Sequence, residues 1–221
     1  MGQKCDSRMV EEFKEAWRSG DQVFPHRPEE KGQRWFLRRL VNPERSERSA
    51  RNKNLVFIGM NPSTADRFAP RTERGDPTTE RILNYDDFKI GNYCQMTIIN
   101  LIPLIGQSEK SKTGSKKLPT WSDEAGKKEI QDSYWVTREV IKLIVKESHT
   151  VHLMWGCPSN GFPWKKDVLP YVKEWLSETI TNQNVQAFLS KKGHPLHPGF
   201  GGIKHWEGKT LADDVRFILE T

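Results

Sequence analysis

The sequence predicts a single α/β domain, a three-layer sandwich in which helices cover both faces of a small four-stranded parallel sheet. The chain has 221 residues, which is the length of one large domain. It contains four short apolar runs with the composition of buried strands, and amphipathic helical patterns separate them. Strands that alternate with helices form right-handed crossovers, which make the strands parallel and place helices on both faces.

Four apolar runs are the predicted strands. Each run is bounded by polar residues or by glycine and proline, as is typical of strands that are buried on both faces. They are Leu55–Gly59, Met96–Ile102, Thr150–Trp155 and Val185–Leu189. Ligands of parallel sheets bind beyond the carboxyl ends of the strands. We therefore expect the functional residues in the segments that follow these four runs.

Helical patterns lie between and around the predicted strands. Asp76 and Pro77 form a cap and first-turn pair, and Pro170 marks a kink or restart. Helices are predicted over Met9–Arg18, Thr78–Phe88, Ser122–Ile144, Trp164–Glu178 and Thr210–Leu219. No internal repeat or linker divides the chain. Residues 1–221 are therefore predicted to form one domain, with a helical extension over residues 1–33.

Charge and cysteine content restrict the classes of function. The chain has 35 Lys and Arg against 29 Asp and Glu, a net charge of +6 that favours a polyanionic partner such as nucleic acid. Cys5, Cys94 and Cys157 are far apart and odd in number, which indicates a reducing compartment and excludes a disulfide framework. The chain has no apolar signal segment and no run of about 20 apolar residues. We therefore expect a cytoplasmic protein without membrane contact.

The segment after the first predicted strand carries two polar side chains. Gly59 allows a close backbone approach, Asn61 presents an amide at the strand end, and Asp66 offers a carboxylate nearby. Because Asn-Pro is also common turn chemistry, an ordinary exit from the strand is the alternative interpretation.

The second and third strands are followed by weaker signals. Asn100 is a single polar residue in an apolar run, so its amide either bonds neighbouring backbone or faces a pocket. After the third strand, the Gly/Pro/Ser loop that contains Ser159 is able to bind a ligand through backbone amides, although this signal is nonspecific.

Two His-Pro pairs follow the fourth strand. His194 and His197 are three residues apart, but no third ligand lies close in sequence, so we expect no metal. Two interpretations stay open. The histidines are exposed loop residues without a role, or one of them donates a hydrogen bond to negative charge that develops on a leaving group.

The order of these motifs resembles the uracil-DNA glycosylase superfamily. G-M-N-P at 59–62 is similar to the G-I-N-P of the mismatch-specific branch, and I-N-L-I at 99–102 is similar to T-N-V-V of several branches. The His-Pro pairs resemble the H-P-S motif that follows the last core strand. The resemblance implies that Asn61 positions the attacking water and that Asn100 recognises the flipped base. His197, or alternatively His194, would stabilise the departing base.

The chain also resembles a bacterial and phage domain family of unknown function, from about residue 34 to its end. The motifs that carry this resemblance are N-P-S-T-A-D, G-D-P-T at 75–78, W-G and G-H-P-x-H-P. Against the uracil enzymes the chain has H-P-L or H-P-G in place of H-P-S. It also has no leucine wedge, so Phe200 or Ile203 would take that role. Asp66 and Asp76 have no counterpart there, which indicates a pocket altered for another base.

These resemblances imply a monofunctional, monomeric DNA glycosylase without metal or cofactor. It would flip a nucleotide and hydrolyse its N-glycosidic bond, giving an abasic site. Uracil is the default base, and a glycosylated hydroxymethyl pyrimidine of phage DNA, with a role in antiphage defence, is the more divergent possibility. The implied catalytic residues are Asn61, Asp66, His197 and His194. The implied substrate-binding residues are Gly59, Met60, Pro62, Ser63, Phe68, Asp76, Asn100 and Ser159, and the DNA-binding residues are Lys191, Lys192, Phe200 and Lys204.

Two other classes of function stay open. A nucleoside hydrolase or base transferase that acts on free metabolites would keep its activity after Lys191 and Lys192 are neutralised. A noncatalytic DNA-binding protein that retains the fold would tolerate Asn61→Ala without functional loss.

Overall fold

A mixed seven-stranded sheet forms the centre of the molecule. The computed structural model describes residues 2–42, 54–63, 65–105, 124–156, 169–198 and 206–220. Within these residues, the strand order is β1-β2-β4-β3-β5-β6-β7. The strands are β1 Val23–Phe24, β2 Phe36–Leu40, β3 Asn54–Gly59, β4 Gln95–Asn100, β5 Thr150–Leu153, β6 Asn184–Phe188 and β7 Leu211–Asp213. Strands β4, β3, β5 and β6 are parallel, whereas β1, β2 and β7 pair antiparallel with their neighbours.

The four apolar runs of the sequence form the four parallel strands β3 to β6, but the prediction of a four-stranded sheet was wrong. The strands that it missed lie towards the two edges of the sheet. β1 has two residues, β2 carries Arg38 and Arg39, and β7 ends at Asp213. Strands near a sheet edge are often short and charged, so these three have none of the apolar continuity that marks the central strands.

Buried side chains pack on both faces of the sheet. Adjacent residues of a strand point to opposite faces, so Val56 and Ile58 belong to one core cluster and Leu55 and Phe57 to the other. The first cluster, which we call the helical face, includes residues of five helices: Gly2–Ser19, Glu124–Asp132, Tyr134–Lys146, Leu169–Thr179 and Phe217–Glu220. The second, the aromatic face, is covered in part by the helix Pro77–Leu83. The described residues therefore form an α/β domain with helices on both faces.

Several helices differ from the prediction, and the one predicted over Ser122–Ile144 is divided at Ser133 into Glu124–Asp132 and Tyr134–Lys146. The helix predicted over Thr78–Phe88 begins at Pro77 and ends at Leu83, and Asp86–Phe88 forms a separate 3₁₀ turn. Only the last part of the helix predicted over Thr210–Leu219 is confirmed, as Phe217–Glu220, because Leu211–Asp213 pairs with β6 as strand β7. Tertiary pairing outweighs local propensity there. The remaining described α-helix is Pro28–Lys31, and no described helix is long and apolar enough to cross a membrane.

The N-terminal segment is part of the domain core. In the helix Gly2–Ser19, the rings of Phe13 and Trp17 contact Phe36 of β2, with centroids 6.1 and 5.3 Å apart. Trp17 Nε1 also donates to the Glu147 carboxylate over 2.7 Å. The segment before residue 34 therefore contributes a strand and core side chains in addition to a helix.

Candidate functional site

Three of the four parallel strands end in, or are followed by, a glycine or an asparagine at one edge of the sheet. Gly59 at the end of β3 is in register with Asn100 at the end of β4, and Gly156 follows the end of β5. The chain beyond β4 stays paired with the chain beyond β3, since Leu101 N donates to Gly59 O over 3.1 Å. We call this side of the sheet the carboxyl edge.

Asn100 lies beneath the backbone of Gly59. A Cβ atom added to Gly59 would lie in van der Waals contact, 3.4 Å from Asn100 Oδ1 and 3.4 Å from Met154 Cε, so the backbone of Gly59 packs directly against this amide. Asn100 is 2% exposed. Its Nδ2 is buried and has no hydrogen-bond partner among the described residues. Leaving such a donor unpaired costs about 1–3 kcal/mol, a cost that a ligand with a suitable acceptor would remove.

The segment after β3 is fixed to the start of the helix Pro77–Leu83. Ser63 Oγ donates to Asp76 Oδ2, and Asp76 Oδ1 accepts from Thr79 N over 2.7 Å. Asp76 N in turn donates to Thr79 Oγ1 over 2.9 Å, which completes a capping box. Asn61 is half-buried at the start of this segment, with its Nδ2 3.4 Å from Pro62 O. These contacts give Asp76 a structural role, and its predicted role in substrate binding stays a prediction.

Gly75 explains why the G-D-P-T motif begins with glycine. A Cβ atom at this position would lie 1.6 Å from Ala69 O, closer than any side chain permits. The close approach brings Asp76 to the helix start and lets Thr79 Oγ1 donate to the same Ala69 carbonyl over 2.7 Å.

Arg34 is a buried cation that the sequence did not reveal as a site residue. Its Nη1 donates to Ala65 O, and its Nε has no partner among the described residues. Burial lowers the pKa of Arg34 to about 10, while the charges of Asp76 and Asp66 oppose that shift. The guanidinium therefore stays charged at neutral pH, next to two carboxylates. Arginine in a polar stretch of sequence is usually a surface residue, so no signal marked this one.

Asp66 lines an open cleft at the outer side of β1. Its Oδ2 lies 3.4 Å from Arg74 Nη1, and its Oδ1 is buried without a partner among the described residues. The cleft, which we call the Asp66 cleft, has a volume of 450 Å³. Its lining residues are Gly20, Asp21, Gln22, Val23, His26, Arg27, Pro28, Asp66 and Arg67. A second surface cavity of 430 Å³ lies between Leu83 and Asn92 and includes none of the predicted site residues.

The loop that carries the His-Pro pairs places His197 at the carboxyl edge. Gly156 has φ 84°, and a Cβ atom added there would lie 3.6 Å from His197 Cβ. The carbonyls on both sides of His197 accept hydrogen bonds from other elements: Leu196 O from Trp206 Nε1 over 3.0 Å, and Pro198 O from Arg81. The position of His197 is therefore held from two sides.

His194 belongs to a tight turn at the other end of the loop. Its N donates to Ser190 Oγ over 3.0 Å, and its O accepts from Ser190 N over 2.9 Å. Lys191 and Lys192 are exposed at the tip of this turn. Of the two histidines, His197 is the one that lies next to Gly156, after the end of β5.

The remaining predicted residues lie in varied surroundings. Phe68 is 3% exposed and packs in the aromatic-face cluster, so its ring presents no open surface for stacking on a base. Met60 packs against the helical-face cluster, and Pro62 is buried. Ser159, Phe200 and Lys204 lie outside the described residues. No group of three or more His, Cys, Asp or Glu among the described residues is placed to hold a metal ion.

Comparison with known proteins gives a family and no function. A family model described as protein of unknown function DUF1643 matches residues 34–199, well over half of the chain. Neither the curated proteins nor the solved structures contain a match. The matched region begins at Arg34 and covers Asn61, Asn100 and both histidines.

Proposed function

We propose that this chain, which belongs to the DUF1643 family of proteins of unknown function, is a monofunctional DNA glycosylase. In this proposal the fold is a three-layer sandwich of the uracil-DNA glycosylase type. A flipped nucleotide binds at the carboxyl edge, and hydrolysis of its N-glycosidic bond leaves an abasic site. The base is uracil or a modified pyrimidine, and the partner is DNA.

The observation that carries the proposal is the buried amide nitrogen of Asn100 beneath Gly59, which has no partner in the part of the chain that the structure describes. A donor in this position suits an acceptor on the edge of a pyrimidine, such as a ring carbonyl oxygen. Flipped bases are read by hydrogen bonds of this kind to their Watson–Crick edge. The glycine in register opposite Asn100 supports the same interpretation, since it leaves space where a larger residue would contact the amide.

The proposed chemistry assigns each reacting group to a described residue. Asn61 orients a water molecule whose oxygen attacks C1′ of the deoxyribose, and a proton of that water is released. The bond from C1′ to the base nitrogen breaks, and its electron pair leaves with the base. His197 and Asn100 donate hydrogen bonds to the negative charge that develops on the base, as fixed donors do in other leaving-group sites. Arg81 and Trp206 hold the His197 loop in place.

The charge of the chain supports a DNA partner. The net charge is +6, and Lys191 and Lys192 are exposed in the same loop as His197. Lysines that neutralise phosphates release counterions, so binding should weaken as salt rises. We expect the double variant Lys191→Ala, Lys192→Ala to have a smaller slope of log affinity against log salt concentration. The decrease should correspond to the loss of about two phosphate contacts.

The proposal is tested by the formation of abasic sites. The purified protein is incubated with duplex and single-stranded DNA that contains uracil, 5-hydroxymethylcytosine or its glucosylated form, and alkali then cleaves the abasic sites. We expect strand cleavage on at least one substrate. Asn61→Ala should reduce the rate of strand cleavage by about 100-fold or more, because the loss of a positioned catalytic group has an effect of about this size. Cleavage that persists unchanged in Asn61→Ala would contradict the assigned chemistry.

Two control results separate the proposal from its alternatives. Binding to DNA without cleavage of any substrate would identify a noncatalytic binder. Release of a base from free nucleosides, with no effect of Lys191→Ala and Lys192→Ala, would identify a metabolite enzyme.

A further inference from the structure

The Asp66 cleft lies at the same side of the sheet as the proposed base site. β1 runs in the same direction as β4, because each pairs antiparallel with β2. The chain after Phe24, which contains His26 and Arg27, therefore leaves β1 at the carboxyl edge. Asp66 and Arg67 complete the cleft from the segment that begins at Gly59. This segment crosses the start of β2, where Arg34 donates to Ala65 O.

The separation between the cleft and Asn100 follows from the strand order. β4 and β1 are separated only by β2, and neighbouring strands are about 4.8 Å apart. The ends of β4 and β1 are therefore about 10 Å apart. A pyrimidine held at Asn100 does not extend that far, whereas a pyrimidine that carries a large substituent does.

The chemistry of the cleft favours a substituent with several hydroxyl groups. Asp21 Oδ2 lies 3.0 Å from His26 Nε2, and Asp66 Oδ2 lies 3.4 Å from Arg74 Nη1. The carboxylates of Asp21 and Asp66 supply acceptors in this cleft, and the amide of Gln22 and the guanidinium groups of Arg27 and Arg67 supply donors. A phosphate would meet the two carboxylates, and an apolar group would leave these polar atoms unpaired. A hydroxyl group both donates and accepts, so a sugar satisfies both kinds of atom.

We propose that the Asp66 cleft is a subsite for a sugar carried on the target base. The proposal rests on the proposed function and gives its substrate class as a pyrimidine with a polyhydroxyl substituent, such as a hexosyl-hydroxymethyl pyrimidine. The volume of 450 Å³ lies within the range of small-molecule sites, about 300–1,000 Å³.

The test compares three oligonucleotides that differ at one base: uracil, 5-hydroxymethylcytosine and glucosylated 5-hydroxymethylcytosine. Base-release rates and equilibrium binding are measured for the full chain and for the variants Gln22→Ala and Arg67→Ala. The control is Arg71→Ala, since Arg71 is an exposed arginine that pairs with Glu80 outside the cleft. We expect the chain to bind the glucosylated oligonucleotide about tenfold or more tightly than the hydroxymethylated one, as for a site with two or three additional hydrogen bonds.

The two cleft variants should lose this preference and keep unchanged behaviour on uracil, while Arg71→Ala keeps the preference. An equal loss on all three oligonucleotides, or no preference in the unmodified chain, would overturn the sugar subsite. Methyl glucoside that alone binds as tightly as the glucosylated DNA would overturn the claim that the sugar is carried on a base. Preferential binding that depends on Gln22 and Arg67, without base release, would support the subsite and refute the glycosylase activity.

Discussion

Asn100 and His152 are both buried polar side chains of the parallel strands, yet they lie in very different surroundings. Asn100 is 2% exposed and His152 is fully buried. Asn100 Nδ2 and both ring nitrogens of His152 have no hydrogen-bond partner among the described residues. Asn100 ends β4 at the carboxyl edge and lies against a glycine. His152 lies within β5, and its ring centroid is 4.9–5.6 Å from those of Phe57, Phe88, Phe188 and Trp206.

The difference shows that an unpaired polar group indicates a binding site only where a ligand is able to approach it. Asn100 lies at the end of its strand beside the turn after Gly59, whereas aromatic rings surround His152. Burial lowers the pKa of His152 to about 3, so its ring is neutral at physiological pH. We therefore interpret Asn100 as a group kept for a ligand and His152 as a core residue that reduces stability.

Replacing Asn100 should give the largest effect on activity. We expect Asn100→Leu, which keeps the volume and removes the amide, to lower the base-release rate by about 10- to 100-fold, since an unmade buried hydrogen bond costs about 1–3 kcal/mol. The free energy of unfolding in urea should stay the same or rise, because the substitution removes a buried donor that has no partner within the described ranges of the chain.

The matched control for this variant is Asn54→Leu. Asn54 is also buried, and its Nδ2 has no partner among the residues that the structure describes. It begins β3 at the opposite edge of the sheet, where its Oδ1 accepts from Thr97 over 3.3 Å. The variant Asn54→Leu should therefore be less stable than the unmodified chain and should keep its full activity. Equal activity losses in the two variants would show that position at the carboxyl edge does not matter.

Replacing His152 should change stability and leave activity unaltered. The folded chain keeps the ring neutral down to about pH 3, whereas the unfolded chain binds a proton below about pH 6.5. The free energy of unfolding therefore keeps its full value above about pH 6.5. It falls as pH decreases towards 3, by up to about 1.4 kcal/mol per pH unit. His152→Leu should remove this slope and raise stability at neutral pH by about 1–3 kcal/mol.

Urea unfolding between pH 4 and pH 8 measures this slope. The exposed His149 provides the control variant, His149→Leu, which should keep the slope of the unmodified chain. A slope that survives in His152→Leu would mean that other groups cause the acid sensitivity.

The same contrast explains what the sequence was able to predict. The central strands were predictable because residues buried on both faces must be apolar, and the order of strands and helices then placed Gly59 and Asn100 at one edge. The run Thr150–Trp155 also identified β5, but nothing in it showed that His152 would lie without a partner inside an aromatic cluster.

The features that sequence reasoning missed depend on contacts between distant segments. Strand β7 exists because Asp213 and its neighbours pair with β6. Arg34 is buried because Asp66 and Asp76, more than thirty residues away, provide opposite charge. Phe68, predicted to bind the substrate, lies in the core because the loop after β3 folds over the aromatic face. A linear pattern carries no information about any of these contacts.

The smallest expected effect tests whether the aromatic cluster and the proposed site are independent. Trp206 contacts His152 and also donates from Nε1 to Leu196 O, next to His197. Trp206→Phe keeps a ring in the cluster and removes this donor. We expect the rate of base release to fall by about fivefold with unchanged DNA affinity, because one hydrogen bond contributes about 1 kcal/mol.

Arg81→Met removes the other donor to the same loop, at Pro198 O. If the two donors hold one loop, the double variant should lose less than the product of the single losses, since contacts that act on one element are not additive. Single-turnover rates of the four proteins decide the question. Fully multiplicative losses would mean that Trp206 acts through the packing of its ring, and the aromatic cluster around His152 would then itself contribute to the site.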